Sequence, residues 1–487
     1  VTIMDSDQQF FLEHHREITR RWFLGRMGLG IGGLALSSIS PGGLGAAPAP
    51  VEGIIRAPHF APRAKRVIAL HMAGSPPQQD LFDPKPLLKE MDGQPCPDHL
   101  MKDEIFPFIK GHPKILASPY EFERDPQSGM EISELMPELR KVSNEICMIR
   151  SMHTEQFNHA PAQMFIYTGS PRFGRPSMGS WLTWGLGSGN TDLPSYVVLV
   201  SGGKTPSSGK SVWGSGFLPS VHQGVQCRTS GDPVLYLGNP PGVDGVTRRE
   251  SIDAIQALDR IAAERDSDPE TLTRIEQYEL AFRMQTSVPE VMDVSQESQE
   301  TLDMYGADAS QASFARNCLL ARRLVEKDVR FVQLFDWGWD THGTNPSDDI
   351  VHQLPLKCKQ TDRPVAALIK DLRQRGLLDD TLILWTGEFG RTAMNEERGG
   401  SKYLGRDHHP HSYTMWMAGG GVKGGYVHGE TDEFGYSITK DPVHVHDLQA
   451  TVLHLMGFHH EQLTYPYQGR DFRLTDVHGK VIQDLIS

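Results

Sequence analysis

The chain has 487 residues, with 48 Lys or Arg against 61 Asp or Glu, a formal net charge of −13. That acidic balance excludes a general nucleic-acid binder, which needs a basic face against phosphate. At 38% hydrophobic and 22% charged residues the composition is that of a globular protein with enough chain for one large α/β domain or two smaller ones.

The first element is an address. Thr19-Arg20-Arg21-Trp22-Phe23-Leu24, the apolar, glycine-rich run Met27 to Ile39 and the small-residue stretch Ala46-Ala47-Pro48-Ala49 read as a twin-arginine export signal. The apolar run is shorter than the ~18 residues of a membrane span; a surface amphipathic helix or a single anchor is the competing reading. The expected organisation is a removable leader over 1–49 and one domain over 50–487, with a helical insert at about 250–328. The twin-arginine translocase would be a partner during export, the protein would work in the periplasm or outside the cell, and the mature form would have no membrane span. This route carries folded proteins, which suits one that takes up a metal first.

Beyond the leader, Val67 to Gly74 is a short apolar run closed by Gly and Pro and predicts a buried strand, whereas 84–130 lack a clear period and read as irregular. Glu134 to Val142 predicts a short helix, Ile146 to Ile149 a strand, and Pro161 to Tyr167 a helix closing at Thr168-Gly169. Leu193 to Val200 is a further strand, followed by a Gly/Ser/Pro-rich excursion through Asn239 whose aromatics, Trp213, Phe217 and Tyr236, favour an ordered binding loop. Ser251 to Lys327 is mostly helical, with Ile252, Ile255, Leu258 and Ile261 at helical spacing. Two apolar strands follow, Val329 to Phe335 and Thr381 to Trp385, joined by a helix from Pro364 through Leu372 that ends at Gly376. Each ends in acidic or histidine residues, the arrangement of an open parallel sheet that binds its ligand at the carboxyl ends of the strands. Five scattered cysteines without a Cys-x-x-Cys pair predict buried free thiols rather than a disulfide framework.

Several clusters carry candidate chemistry. Asp340-Thr341-His342 puts a carboxylate and an imidazole at a strand end, a mix that transition metals prefer, and Asp336 can add a carboxylate; a turn-capping Asp beside a carbonyl-bonded His has the same sequence. In Arg406-Asp407-His408-His409-Pro410-His411, one or two histidines would ligate, the rest supporting them or facing solvent. Glu388 reads as a ligand or base and Arg391 as an oxyanion clamp, or the two as a plain ion pair. Asn158-His159-Ala160-Pro161 places His159 at a helix N-terminus, a favourable place for a nucleophile. His446 is a weaker candidate, and Asp447 an N-cap for the helix Leu448 to Leu455.

The tail half resembles the alkaline phosphatase and sulfatase superfamily, through Asp379 to Gly390, Asp447 to Leu453, and His159 to Gly169, which matches the sulfatase signature in length and in Pro161, Thr168 and Gly169. More closely, the mature chain resembles an exported, sulfatase-like family, the domain of unknown function fifteen-oh-one. Its hallmarks here are Asp80 to Pro86, Trp213 to Pro219, Trp339-Asp340-Thr341-His342, Gly387 to Thr392 and Gly405-Arg406-Asp407-His408. The resemblance implies a three-layer αβα sandwich with a mostly parallel central sheet, alkaline phosphatase-like. It also implies one or two divalent ions (zinc, calcium or manganese) on Asp80, Asp340, His342, Glu388 and His408, with His159 as nucleophile or general acid and Arg391 on the oxyanion. Asn158, Trp213 and His446 would contact substrate, a small-molecule or polysaccharide phosphate or sulfate ester. The sulfatase cysteine is replaced by His159, and the signature's Ser and Arg by Ala162 and Gln163, so formylglycine chemistry is not expected. A non-catalytic carbohydrate-binding or assembly protein on the same fold, using the loops around Trp213, is the alternative.

Overall fold

Short apolar runs bounded by Gly, Pro or acidic residues become the strands of one central sheet. The computed structural model describes residues 57–102, 106–228, 232–234, 238–240, 242–266 and 269–487; the leader and Tyr236 lie outside them. In chain order the elements that matter are β1 (Arg66–Ala73), β2 (Ile146–His153), α1 (His159–Thr168), α2 (Met178–Leu186), β3 (Tyr196–Ser201) and β4 (Val225–Gln226). Then come α3 (Gly245–Asp266), α4 (Pro269–Met292), α5 (Phe314–Glu326), β5 (Phe331–Trp337), α6 (Gln353–Gln374) and β6 (Thr381–Thr386). The last are β7 (Gly390–Arg391), β8 (His408–His409), β9 (Tyr413–Ala418), β10 (Tyr426–His428), β11 (Val443–His444) and α7 (Val445–Leu455).

The nine-stranded sheet runs β10-β2-β9-β6-β1-β5-β3-β4, with β11 also on β2. All its pairings are parallel except those of β9, which is antiparallel to β2 and β6. Alternation along β1 feeds two cores: Ile68, Leu70 and Met72 pack with α5 and α6, while Val67 and Ala69 pack with α1, α2 and α7. The architecture is therefore a three-layer αβα sandwich with a mostly parallel sheet. Ala73 pairs with Trp337 and His71 with Thr386, so β1 and β5 end level, β6 stops two residues short of them, and the turns carrying Gly74, Asp340 and Glu388 emerge at one edge.

Local differences from the sequence reading have local causes. The helix expected from Pro364 starts earlier, at Gln353, and carries Pro364 inside it; Thr361 Oγ1 donates to the Lys357 carbonyl 2.9 Å away just before the proline. Glu134 to Val142 is helical only over Pro137–Arg140, and the stretch read as irregular holds the strand Phe122–Arg124, which pairs with Glu131–Ser133 just past its end. On α3 only Ile252 of the helical-period residues is buried; Ile255, Leu258 and Ile261 are exposed. All five cysteines are free and buried. Among the described residues no helix is long and apolar enough to cross a membrane.

Candidate metal centre

Four chain segments deliver the site. β5 runs into the turn that carries Asp340 and His342, and this turn closes onto the end of β1 because Gly74 has no side chain. At φ +109°, a Cβ there would lie 2.4 Å from the Asp340 nitrogen. His159 is the first residue of α1, behind the exposed, extended N-cap Asn158, and Pro161 falls in the first turn, where no amide is required. His408 sits on β8, paired antiparallel with β7 so that it lies opposite Arg391.

Asp340 is the centre of this arrangement. Its Oδ1 lies 2.8 Å from His342 Nε2 and 3.4 Å from His408 Nε2, and its Oδ2 is 3.2 Å from His159 Nε2. The opposite nitrogen of each ring is held from behind. His159 Nδ1 is 2.8 Å from Glu388 Oε1, His408 Nδ1 is 2.7 Å from the Phe157 carbonyl, and His342 Nδ1 contacts Glu396 Oε2. With Nδ1 donating to these oxygens, although Arg398 Nη2 also lies 3.1 Å from His342 Nδ1, the three Nε2 atoms face Asp340. The donor atoms of His159, Asp340, His342 and His408 all lie within 4.8 Å of one another. A tetrahedral ion bound at about 2.0–2.1 Å holds its ligand atoms about 3.3 Å apart, close to the spacings around Asp340. His159 Nε2 is moreover buried without a hydrogen bond of acceptable angle. A buried ring nitrogen turned toward a carboxylate without a hydrogen bond is what a metal ligand presents once its proton is displaced, so these residues fit a divalent transition metal.

The fixed charges reinforce the arrangement. Burial works against ionisation of Asp340, yet Arg391 and the imidazoles of His159, His342 and His408 hold its carboxyl well below the usual carboxylate range. Burial alone would lower His159, but the carboxylates of Asp340 and Glu388 raise it to about 9. His408, dominated by burial, is lowered to about 3. Glu388, also opposed by burial, is held well below its usual range by His159 and His71.

Other expected site residues have different surroundings. Glu388 is a buried support: its Oε1 receives Gly74 N at 3.0 Å and Gln163 Nε2 at 3.1 Å besides His159, and its Oε2 is 3.2 Å from His71 Nε2. The Ser75 hydroxyl oxygen accepts from the amides of Glu388 and Phe389 at 3.0 and 3.1 Å, which fixes this turn on β1. Arg391, fully buried, is not free to clamp an oxyanion, because it donates to the carbonyls of Gly74, Ser75 and Arg406 and, at 2.6 Å, to Asp340 Oδ1. Asp80 lies outside the cluster in a buried two-point pair with Arg406, at 2.7 and 3.0 Å. Asp336 pairs with Lys357 at 2.6 Å.

Trp213 is 3% exposed and packs on Phe335 in the core, so its indole has no face to offer a sugar. His446 meets the Gly169 carbonyl at 3.1 Å, at the far end of α1 from His159. Asn158 is exposed beside the site. Sequence reasoning missed Glu396, Gln163 and the Phe157 carbonyl. A second cluster, His342, Glu396 and Asp407, buttresses the first, since Asp407 accepts the amides of Phe108 and Ile109 at 2.8 Å and of His408 at 2.7 Å.

Solved structures similar to this chain include Ps i-CgsB in complex with k-i-k-neocarrahexaose (11% identity, 81% of this chain and 72% of that one, TM-score 0.34). PsFucS1 sulfatase from Pseudoalteromonas sp. is similar over 81% and 68% of the two chains (13% identity, TM-score 0.34). A protein in the alkaline phosphatase superfamily from Vibrio parahaemolyticus is similar over 85% and 72% (12% identity, TM-score 0.33). Likeness of this degree says nothing of chemistry. No curated protein matches the sequence significantly. The model of the DUF1501 family, described as proteins of unknown function, matches residues 64–486, and the chain belongs to that family.

Proposed function

We propose that the protein is a metal-dependent hydrolase of phosphate or sulfate esters that works outside the cytoplasm. The observation that carries the reading is the convergence of the His159, His342 and His408 Nε2 atoms on Asp340, each ring locked from behind. A divalent ion there, expanding to a fifth coordination position for the ester, would supply Lewis-acid polarisation of an ester oxygen. Three imidazoles and one carboxylate suit zinc or manganese better than calcium, which prefers oxygen ligands. Glu388, Glu396 and the Phe157 carbonyl orient the rings, and Arg391 fixes Asp340. The exposed rings of Phe108 and Phe157 stand at the rim, Phe108 edge-on to His342 and His408 at 5.2 and 5.3 Å. In this reading His159 is a ligand rather than the expected nucleophile or general acid, since both of its ring nitrogens face carboxylates.

The ester class rests on the sulfatase-like segments His159 to Gly169 and Asp379 to Gly390, and export on Thr19 to Leu24 and Ala46 to Ala49. The rival reading, a carbohydrate binder built around Trp213, loses its anchor with the burial of that residue. The test measures bound metal and turnover of p-nitrophenyl phosphate and p-nitrophenyl sulfate. One ion per chain, with turnover abolished by His342→Ala, supports the proposal. A protein that binds no metal and turns over neither ester refutes it. Export is tested by fusing residues 1–49 to a reporter that is active only outside the cytoplasm.

A further inference from the structure

Beyond the imidazoles the wall of the site continues into an aromatic residue that carries an unclaimed cation. The ring of Trp337, the last residue of β5, is 6.2 Å from that of His159, and Lys204 Nζ lies 5.5 Å from the centre of the indole. Lys204 is exposed. It forms no ion pair with any described residue, unlike Arg398, the cation at the opposite end of the imidazole row, which is bound to Glu396.

The loop holding Lys204 is anchored at both ends. At its start Gly202, at φ +79°, lies so close to Trp337 that a Cβ would fall 2.3 Å from the Trp337 carbonyl oxygen, while Ser201 Oγ donates to Asp336 Oδ1 at 2.8 Å. At its end the Ser208 amide donates to Gln163 Oε1 at 3.3 Å and its hydroxyl to the Ala160 carbonyl, both on α1, the helix that presents His159. The loop that carries Lys204 is thus tied to Trp337 at one end and to the metal-centre helix at the other.

In a chain of net charge −13, a lysine without a carboxylate partner at the edge of such a site is a local reversal of sign that selects for anions. We propose that Lys204, laid on Trp337, forms a second anion subsite beside the metal centre, and that the substrate is an ester bearing a second, separate anionic group. The two ring-to-ring and cation-to-ring distances put Lys204 Nζ at most about 12 Å from the His159 ring, so the two anionic groups belong to one substrate molecule of modest length. This inference rests on the reading of the site as one for anionic esters.

The test uses two non-hydrolysable probes, hexylphosphonate and hexane-1,6-diphosphonate, titrated calorimetrically into the zinc-loaded full chain at low ionic strength. Having two equivalent ends gives the diphosphonate a statistical factor of two, and an exposed ion pair adds up to about fivefold. The wild type should therefore prefer it about tenfold. Lys204→Met should reduce the preference to about twofold, and Lys204→Arg, which keeps charge and stacking, should restore it. A wild-type preference of only about twofold, or a tenfold preference retained in Lys204→Met, overturns the inference while leaving the anionic-ester reading intact. Failure of the wild type to bind either probe overturns both.

Discussion

His159 stands between Glu388 and Asp340, with Nδ1 2.8 Å from Glu388 Oε1 and Nε2 3.2 Å from Asp340 Oδ2. The imidazole thus occupies the approach by which Glu388 would reach an ion at Asp340, and the glutamate acts on the metal position through the ring.

Glu388→Gln should therefore lower metal affinity without changing stoichiometry. A carboxylate behind a ligating histidine fixes its tautomer and raises its basicity, and losing it costs about 10–100-fold in affinity. Competition against a chromogenic chelator measures the loss. Unchanged affinity would show that the tautomer lock is not needed.

Asp80 and Arg406 form a buried pair, both 0% exposed, so Asp80 serves stability. Arg406→Met strands a buried charge and should cost about 3–5 kcal/mol in denaturant unfolding. Asp80→Asn should keep one metal per chain while also losing stability. Loss of metal from folded Asp80→Asn protein would make it a ligand after all.

Acid–base behaviour follows from two histidines with opposite shifts. Despite burial, Asp340 and Glu388 raise His159 from 6.5 to about 9, so between those values the folded chain holds a proton that the unfolded chain has released. Stability of the metal-free protein should fall by roughly 3 kcal/mol as pH rises through that window. Burial lowers His408 from 6.5 to about 3, so below pH 6.5 the unfolded chain gains a proton that the folded one refuses, and stability falls again. Melting temperatures in chelator should peak near neutrality, and zinc, which replaces the proton on His159, should remove the alkaline decline.

Trp213→Ala should cost about 3–5 kcal/mol, the price of emptying a packed aromatic site, because Trp213 lies against Phe335 at a ring separation of 5.7 Å. Urea unfolding gives the number. A change below about 1 kcal/mol would place the indole outside the core.

The strands were legible because a buried parallel sheet needs uninterrupted apolar runs, as in β1, β5 and β6. Asp340, His342 and His408 were legible as strand-end and clustered ligand types. Asp80 looked available only because its partner, Arg406, lies 326 positions away, a separation that no local pattern encodes. Glu396 stands in a charged stretch, Asn395-Glu396-Glu397-Arg398, that reads as a solvated turn, yet it is fully buried behind His342. Trp213 sits among Gly and Ser, a composition shared by binding loops and by loops that plug a core. His159 was found, but its role depended on what lies at each of its nitrogens, which only the folded chain decides.

The central claim is tested most directly by anomalous scattering from crystals of the zinc-loaded protein. One peak bonded by the Nε2 atoms of His159, His342 and His408 and by an Asp340 oxygen, with Glu388 and Asp80 outside bonding distance, is the predicted result. A zinc ion bound by Asp80 or Glu388 instead, or no peak among the three imidazoles, would contradict it.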